Sequence, residues 1–238
     1  MNIIITGASR GLGYSMAECF AKEGHNLYLT ARNEVSLYHA LGSLMGRFPE
    51  QQIRAKAFDL SLKEDAVGFG NWVLDQQTEV DILINNAGNF TPGSIYNEPE
   101  GTLEKMLDIN LFSAYHLTRA LLPAMMKRKR GHIFNICSIA AFAAYPNGGS
   151  YSISKFALSG FSKNLREELK PYGIKVTGIY PGAVYTDSWS GSGVDPDRIM
   201  KPSDIAETIL QITKLSPQAL VEEVVMRPLL GDIGGVDG

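Results

Sequence analysis

Residues 3–13 leave the chain few ways to fold. Ile3-Ile4-Ile5 runs without a polar break into Thr6-Gly7-Ala8-Ser9-Arg10-Gly11-Leu12-Gly13, and an amphipathic stretch, Tyr14 to Glu23, follows at once. A strand that is apolar at every position is covered on both faces. The glycines let it turn directly into a helix. Gly7 takes a sharp turn that other residues resist, Gly11 leaves the backbone open to approach, and Gly13 lets the helix lie close on the strand. The start of that helix presents free N–H groups and a positive dipole end, which suit a pyrophosphate. A glycine turn without a ligand shares the spacing; the strand before and the helix after favour the phosphate cradle.

The same grammar repeats along the chain. Short apolar runs predict strands at Leu27–Leu29, Ile53–Phe58, Ile82–Ile84, Ile133–Ile136, Lys175–Tyr180 and Val221–Met226. Amphipathic stretches predict helices at Val35–Arg47, from about Ser61, at Leu103–Met126, Tyr151–Lys170 and Pro202–Lys214. Strands separated by helices imply right-handed βαβ units and a parallel, doubly wound α/β sheet. Such sheets bind ligands beyond the carboxyl ends of their strands. No Pro-, Gly- or Ser-rich linker divides the chain, so residues 1–238 are expected to form one domain. The stretch Thr186 to Lys201, with Gly191, Gly193 and Pro196 and little apolar content, reads as a loop beside the site and a candidate lid.

Composition removes several function classes. With 45% hydrophobic and 20% charged residues the chain is globular rather than disordered, and a net charge of -3 offers nothing to nucleic acid. Lys127 to Arg130 sits at a predicted helix C-terminus, where the dipole accounts for it. No apolar run approaches the ~20 residues that span a bilayer, and with Met1 leading straight into the first strand no signal peptide is expected. Cys19 and Cys137 have neither disulfide-framework nor metal spacing, and His25, His39, His116 and His132 show no metal pattern. A cytoplasmic protein without a metal is expected.

Two arginines bear on the cofactor. A nicotinamide dinucleotide without a 2′-phosphate is held by an Asp or Glu after the second strand; here that strand ends Thr30-Ala31-Arg32. A guanidinium fork matches phosphate oxygens, so Arg32, with Arg10 in the turn, points to NADP(H). Solvated surface arginines are the plain alternative. Asp59, with Leu60 beside it, ends the third strand, where it either meets the adenine edge or caps the next helix.

Tyr151 and Lys155 are four apart and share a helix face. A phenol is a poor base at neutral pH, so a fixed ammonium beside it, together with the positive ring of an oxidised nicotinamide, is expected to draw its pKa down and make it a proton donor and acceptor. An ordinary i,i+4 surface pair has the same spacing. Ser138, at the end of the fifth strand, places a hydroxyl at the same sheet edge, ready to polarise a carbonyl oxygen.

Taken together, these motifs resemble the short-chain dehydrogenase/reductase family over nearly the full length. TGxxxGxG matches Thr6 to Gly13, NNAG matches Asn85-Asn86-Ala87-Gly88, the helix asparagine matches Asn110, the catalytic serine, tyrosine and lysine match Ser138, Tyr151 and Lys155, and Pro181-Gly182 with Thr186 matches the PG segment. The resemblance implies a Rossmann-like, doubly wound parallel sheet of seven strands with helices on both faces. It implies that Asn110 kinks its helix and holds a relay water, that Asn86, Ala87 and Gly88 support the cofactor, that Lys155 bonds the nicotinamide ribose, that Ile179 to Val184 line the nicotinamide side and that Thr186 bonds its carboxamide. It also implies a homodimer or homotetramer. Cys137, where many relatives have serine, reads as a small buried residue. The stretch Val221 to Ile233 looks like family members that reduce pteridine-type carbonyls or oxidise 3-hydroxy acids. The expected activity is hydride transfer between NADP(H) and a small-molecule carbonyl or alcohol, of carbonyl reductase type. The alternatives are a 3-oxoacyl carrier-protein reductase and a non-catalytic NADP(H) sensor or scaffold.

Overall fold

The computed structural model describes residues 1–76, 79–186, 189 and 193–233. Among the described residues, seven strands form one sheet in the order β3-β2-β1-β4-β5-β6-β7, and every neighbouring pair is parallel. The strands are β1 (Asn2–Thr6), β2 (Asn26–Thr30), β3 (Ile53–Ala55), β4 (Ile82–Asn85), β5 (Gly131–Ile136), β6 (Ile174–Pro181) and β7 (Glu223–Met226). The connecting helices are α1 (Gly11–Lys22), α2 (Glu34–Arg47), α3 (Lys63–Asp75), α4 (Thr102–Leu107), α5 (Ser113–Arg128), α6 (Gly149–Leu169) and α7 (Pro202–Thr213).

Both faces of the sheet are covered, as the unbroken apolar strands require. In β1 the side chains alternate between two cores. Ile3 and Ile5 pack with Phe20, Leu37, Leu44, Ile205 and Ile209 of α1, α2 and α7. Ile4 packs on the other face with Phe69, Val73, Leu117, Leu121 and Leu165 of α3, α5 and α6. The chain starts outward from β1 through β2 and β3, then returns to β4 on the other side. The crevice at this reversal, above β1 and β4, is where a doubly wound sheet takes a ligand.

Two expectations need correction, and a third is only partly described. The third strand pairs only over Ile53–Ala55, although the N–H groups of Lys56 and Phe58 still donate to Leu29 and Ala31 carbonyls at 3.1 and 3.3 Å. The expected helix from Leu103 to Met126 is three pieces: α4, a π-helical turn over Asp108–Phe112, and α5, which runs through Pro123. The stretch 186–201 is fastened where it is described: Met200 N–H donates to Ala183 O at 3.1 Å, Tyr185 N–H to Met200 O at 2.8 Å, and Arg198 donates to Leu230 and Gly231 carbonyls. Residues 187, 188 and 190–192, including Gly191, lie outside the described residues, and with them the lid expectation.

Candidate active site

The glycine turn is built by contacts from β4. Thr6 Oγ1 accepts the N–H groups of Asn86 and Ala87 at 2.9 and 2.8 Å, and Asn86 Nδ2 donates to Thr6 O at 2.8 Å and Gly7 O at 3.2 Å. Asn86 and Ala87 therefore brace the turn across the sheet reversal. Gly7 and Gly11 have φ of +64° and +55°, a region that disfavours side chains. A Cβ on Gly13 would sit 2.1 Å from Gly7 O, so only glycine lets α1 approach β1 this closely. Leu12 packs into the core beneath, while Ser9 and Arg10 remain at the rim. The first turn of α1 carries no acidic residue, and the Arg10 side chain does not cap it. The N–H groups and dipole of this first turn, with no carboxylate of its own, fit a dinucleotide pyrophosphate.

Arg32 follows β2 and is exposed at the same edge of the sheet. Asp59 acts locally. Its Oδ1 accepts from Ser61 N–H at 3.2 Å and Ser61 Oγ at 2.7 Å, an Asx-turn that leads into α3. It lies beyond β3 rather than at its end, and Leu62 occupies the N-cap of α3. Leu60 is buried in the α3-side core. On the opposite wall, Pro181 closes β6, and Gly182 N–H donates to Met226 O at 2.7 Å. Val184 is buried in a bridge to Met200. The chain then brings the Thr186 side chain within 3.4 Å of where a Gly11 Cβ would be. The glycine turn and the PG segment, far apart in sequence, thus form two walls of one crevice.

The polar cluster lies at the carboxyl end of β4 and β5. Ser138 follows β5, and its Oγ accepts from Ala140 N–H at 3.1 Å in a short 3-10 turn. Ser152 Oγ donates to Ala140 O at 2.8 Å, tying α6 to that turn and bringing Tyr151 to the side of Ser138. One turn further along α6, the buried Lys155 Nζ donates to Ile136 O at 2.9 Å and lies 5.8 Å from the Tyr151 ring centroid. Asn110 sits in the π turn; its Oδ1 accepts Asn89 N–H at 2.8 Å, and its Nδ2 donates to Asn89 O at 3.0 Å and Ser154 Oγ at 2.9 Å. π turns recur at functional sites because they rotate one residue out of the helical pattern. Gly88 leaves room for both groups: a Cβ there would be 3.0 Å from Asn110 Oδ1 and 3.6 Å from Lys155 Nζ.

Of the chain's own groups, Lys155 is not among those that shift the Tyr151 phenol. Burial raises the Tyr151 pKa, and the Ser138 hydrogen bond opposes it only in part. The Lys155 ammonium points at a carbonyl from below the ring, and burial lowers its own pKa to about 8. Within the chain's own groups Tyr151 therefore keeps its proton at neutral pH. Burial likewise pushes the Cys137 thiol up to about 11, so it is no thiolate nucleophile.

The bracing roles of Thr6 and Ser154, and Phe90 itself, were not singled out from the sequence. Thr6 and Ser154 lie inside recognised motifs, but their roles depend on partners 80 and 44 residues away. Phe90 packs edge-on against Tyr151, with ring centroids 4.9 Å apart. Among the described residues no His/Cys/Asp/Glu group could hold a metal, and no helix is long and apolar enough to cross a membrane.

The short chain dehydrogenase family model matches residues 1–195. A sepiapterin reductase from Chlorobaculum tepidum is 30% identical over 241 residues, covering 97% of this chain and 97% of that protein. An alcohol dehydrogenase from Thermococcus sibiricus, solved with 5-hydroxy-NADP, superposes with a TM-score of 0.89 at 27% identity, covering 98% of each chain. A metagenomic short-chain oxidoreductase solved with NADP gives 0.83 at 29% identity, covering 96% of each.

Proposed function

This chain belongs to the short-chain dehydrogenase family, a family of oxidoreductases, and from that premise we propose that it is an NADP(H)-dependent carbonyl reductase. The observation that carries the reading is the gathering of Tyr151, Ser138 and Lys155 at the sheet edge: α6 is tied to the turn after Ser138 through Ser152, and Lys155 Nζ lies 5.8 Å from the Tyr151 ring centroid. Gly7, Gly11 and Gly13 at the turn, Arg32 beyond β2, and Pro181 to Thr186 opposite would hold the cofactor. When bound, the nicotinamide exchanges a hydride with the substrate carbon.

The chain's own residues handle the rest. Ser138 donates a hydrogen bond to the substrate carbonyl oxygen and polarises it. Tyr151 gives its phenolic proton to that oxygen as negative charge develops there. Lys155, buried below, carries positive charge under the phenolate that remains. A phenol kept protonated by burial suits the reductive direction at neutral pH. Bound NADP in solved relatives and the exposed guanidinium of Arg32 support the phosphorylated cofactor.

A 3-oxoacyl carrier-protein reductase is less well supported. A carrier protein presents acidic surface and a phosphodiester, yet residues 89–101 and 139–150, which flank Tyr151, contain no Lys or Arg. Exposed Phe112, Ile153 and Phe156 on the α5–α6 side support self-association as a dimer or tetramer, which light scattering tests. The activity itself is tested by screening ketones and aldehydes for loss of NADPH absorbance. Turnover of uncharged carbonyls is the expected result; no oxidation of NADPH with any of them would reject the reading.

A further inference from the structure

A carboxylate outside the reacting cluster is bonded to the residue that precedes the proton donor. Glu98 lies in the connection between β4 and α4. Its Oε1 accepts the backbone N–H of Ser150 at 2.9 Å, and its Oε2 accepts the Ser150 hydroxyl. Ser150 is in the first turn of α6, one residue before Tyr151. That helix has no acidic residue in its first turn and no side-chain cap from Gly148. Glu98 supplies both from another part of the chain, where a carboxylate also opposes the helix dipole.

The join is close and continues on either side. A Cβ on Gly149 would fall 2.0 Å from Glu98 Oε1 and 2.4 Å from Gly93 O. Gly93 N–H donates to Asn147 O at 3.1 Å, and Ser94 Oγ donates to Asn147 Oδ1 at 2.8 Å. Residues 93–98 are thereby stitched to 147–150 by four hydrogen bonds. The same connection begins with Asn89, held by Asn110, and Phe90, set edge-on against the Tyr151 ring.

We propose that Glu98 is a positioning residue: it fastens the 89–101 connection to the first turn of α6, so that the wall facing substrate and the Tyr151 phenol are held as one piece. The proposal rests on Tyr151 being the proton donor. Glu98 touches neither cofactor nor reacting atoms, so its loss should reach turnover through the placement of Tyr151 and leave the glycine turn alone.

The test compares Glu98→Ala, Glu98→Gln and Ser150→Ala in the full chain. With a carbonyl that the wild type reduces, Glu98→Ala is expected to lower kcat about tenfold or more, since small misplacements of a reacting group are costly. NADPH affinity, read by fluorescence quenching, should stay within about twofold because the cradle of the turn is untouched. Glu98→Gln keeps an acceptor for the N–H and a donor for the hydroxyl, so it should recover most of kcat. Ser150→Ala, which removes only the hydroxyl half, should fall between. Wild-type kcat in Glu98→Ala, a parallel loss of NADPH affinity, or equal losses in Ala and Gln variants would overturn the proposal. If Glu98→Ala does not fold, the Gln and Ser150→Ala variants decide. Hydrogen exchange gives a reading independent of activity: Glu98→Ala should speed exchange in 93–98 and 148–152 together and leave β4 and β5 unchanged. Unchanged exchange would defeat the clasp; a wild type inert toward every carbonyl would defeat the oxidoreductase reading and leave the clasp to be judged by exchange alone.

Discussion

At the residue scale, the site divides into groups that can be found from spacing and groups that cannot. Tyr151 and Lys155 are one helical turn apart, and Ser138 ends an apolar run, so local periodicity alone puts them at one edge of the sheet. The acidity of Tyr151 is not local. Its pKa is raised by burial and by the neighbouring Cys137 and opposed in part by Ser138, which no spacing reveals. Glu98 escapes notice for the same reason: nothing near it in sequence hints at Ser150, 52 residues on. Arg32 remains an inference from position, and it carries a direct prediction. Arg32→Asp removes the guanidinium fork and sets a carboxylate against the 2′-phosphate. The ratio of kcat/KM with NADPH to that with NADH should fall by at least about tenfold. An unchanged ratio, measured with one substrate and both cofactors, would remove Arg32 from cofactor choice.

At the scale of the elements, the strand and helix order follows from alternating runs, while the irregular pieces do not. The π turn at Asp108–Phe112 adds one residue to a helix that stays amphipathic from Leu103 to Met126, so the hydrophobic pattern passes over it. Only the Asn110 motif, through its resemblance to a family, hinted at a kink. Beyond Ala55 the N–H groups of Lys56 and Phe58 still reach the Leu29 and Ala31 carbonyls, and the Asx-turn at Asp59 then redirects the chain into α3. The junction of β1 with α1 is the opposite case, fully dictated by its glycines. Gly13→Ala places a methyl 2.1 Å from Gly7 O, where backbone on both sides must shift. Overpacking of that kind costs about 2 kcal/mol, equivalent to roughly 4–8 °C in Tm for a chain of this size. NADPH affinity should fall with it. A variant with wild-type Tm and NADPH affinity would show that the close approach of α1 to β1 is dispensable.

At the scale of the whole molecule, the sheet reversal between β1 and β4 brings two halves of the chain to one crevice: the glycine turn and Arg32 from β1 and β2, and Ser138, Tyr151 and Lys155 from β5 and α6. Alternation predicted a parallel sheet with this division, because each helix must return the chain to the same sheet edge. The stability of the sheet also has a pH dependence that spacing could not reveal. His132 on β5 is buried against Phe134 and bonded to Thr177 Oγ1 at 2.8 Å, and burial, aided by Lys175, lowers its pKa to about 3. Thr177 donates onward to Val221 O, so His132 serves as the neutral donor. The unfolded histidine titrates near 6.5, so the unfolded chain binds the extra proton first as pH falls. The contribution is complete above about pH 6.5 and is lost on the way down towards about 3. At pH 4.5 the loss is on the order of 3 kcal/mol, two pH units below the unfolded value. Urea unfolding at pH 7 and pH 4.5 should therefore show wild type losing more stability than His132→Gln by about that amount; equal losses would mean that His132 is not held neutral.

The division of the crevice into a half that holds dinucleotide and a half that moves the proton is measured most directly in Tyr151→Phe. In one sample, NADPH binding is followed by fluorescence and its oxidation by absorbance, with a carbonyl that the wild type reduces. Binding within a few-fold of wild type together with a loss of turnover of about a thousandfold or more is the expected result. Turnover at the wild-type rate without the phenolic hydroxyl would contradict the account.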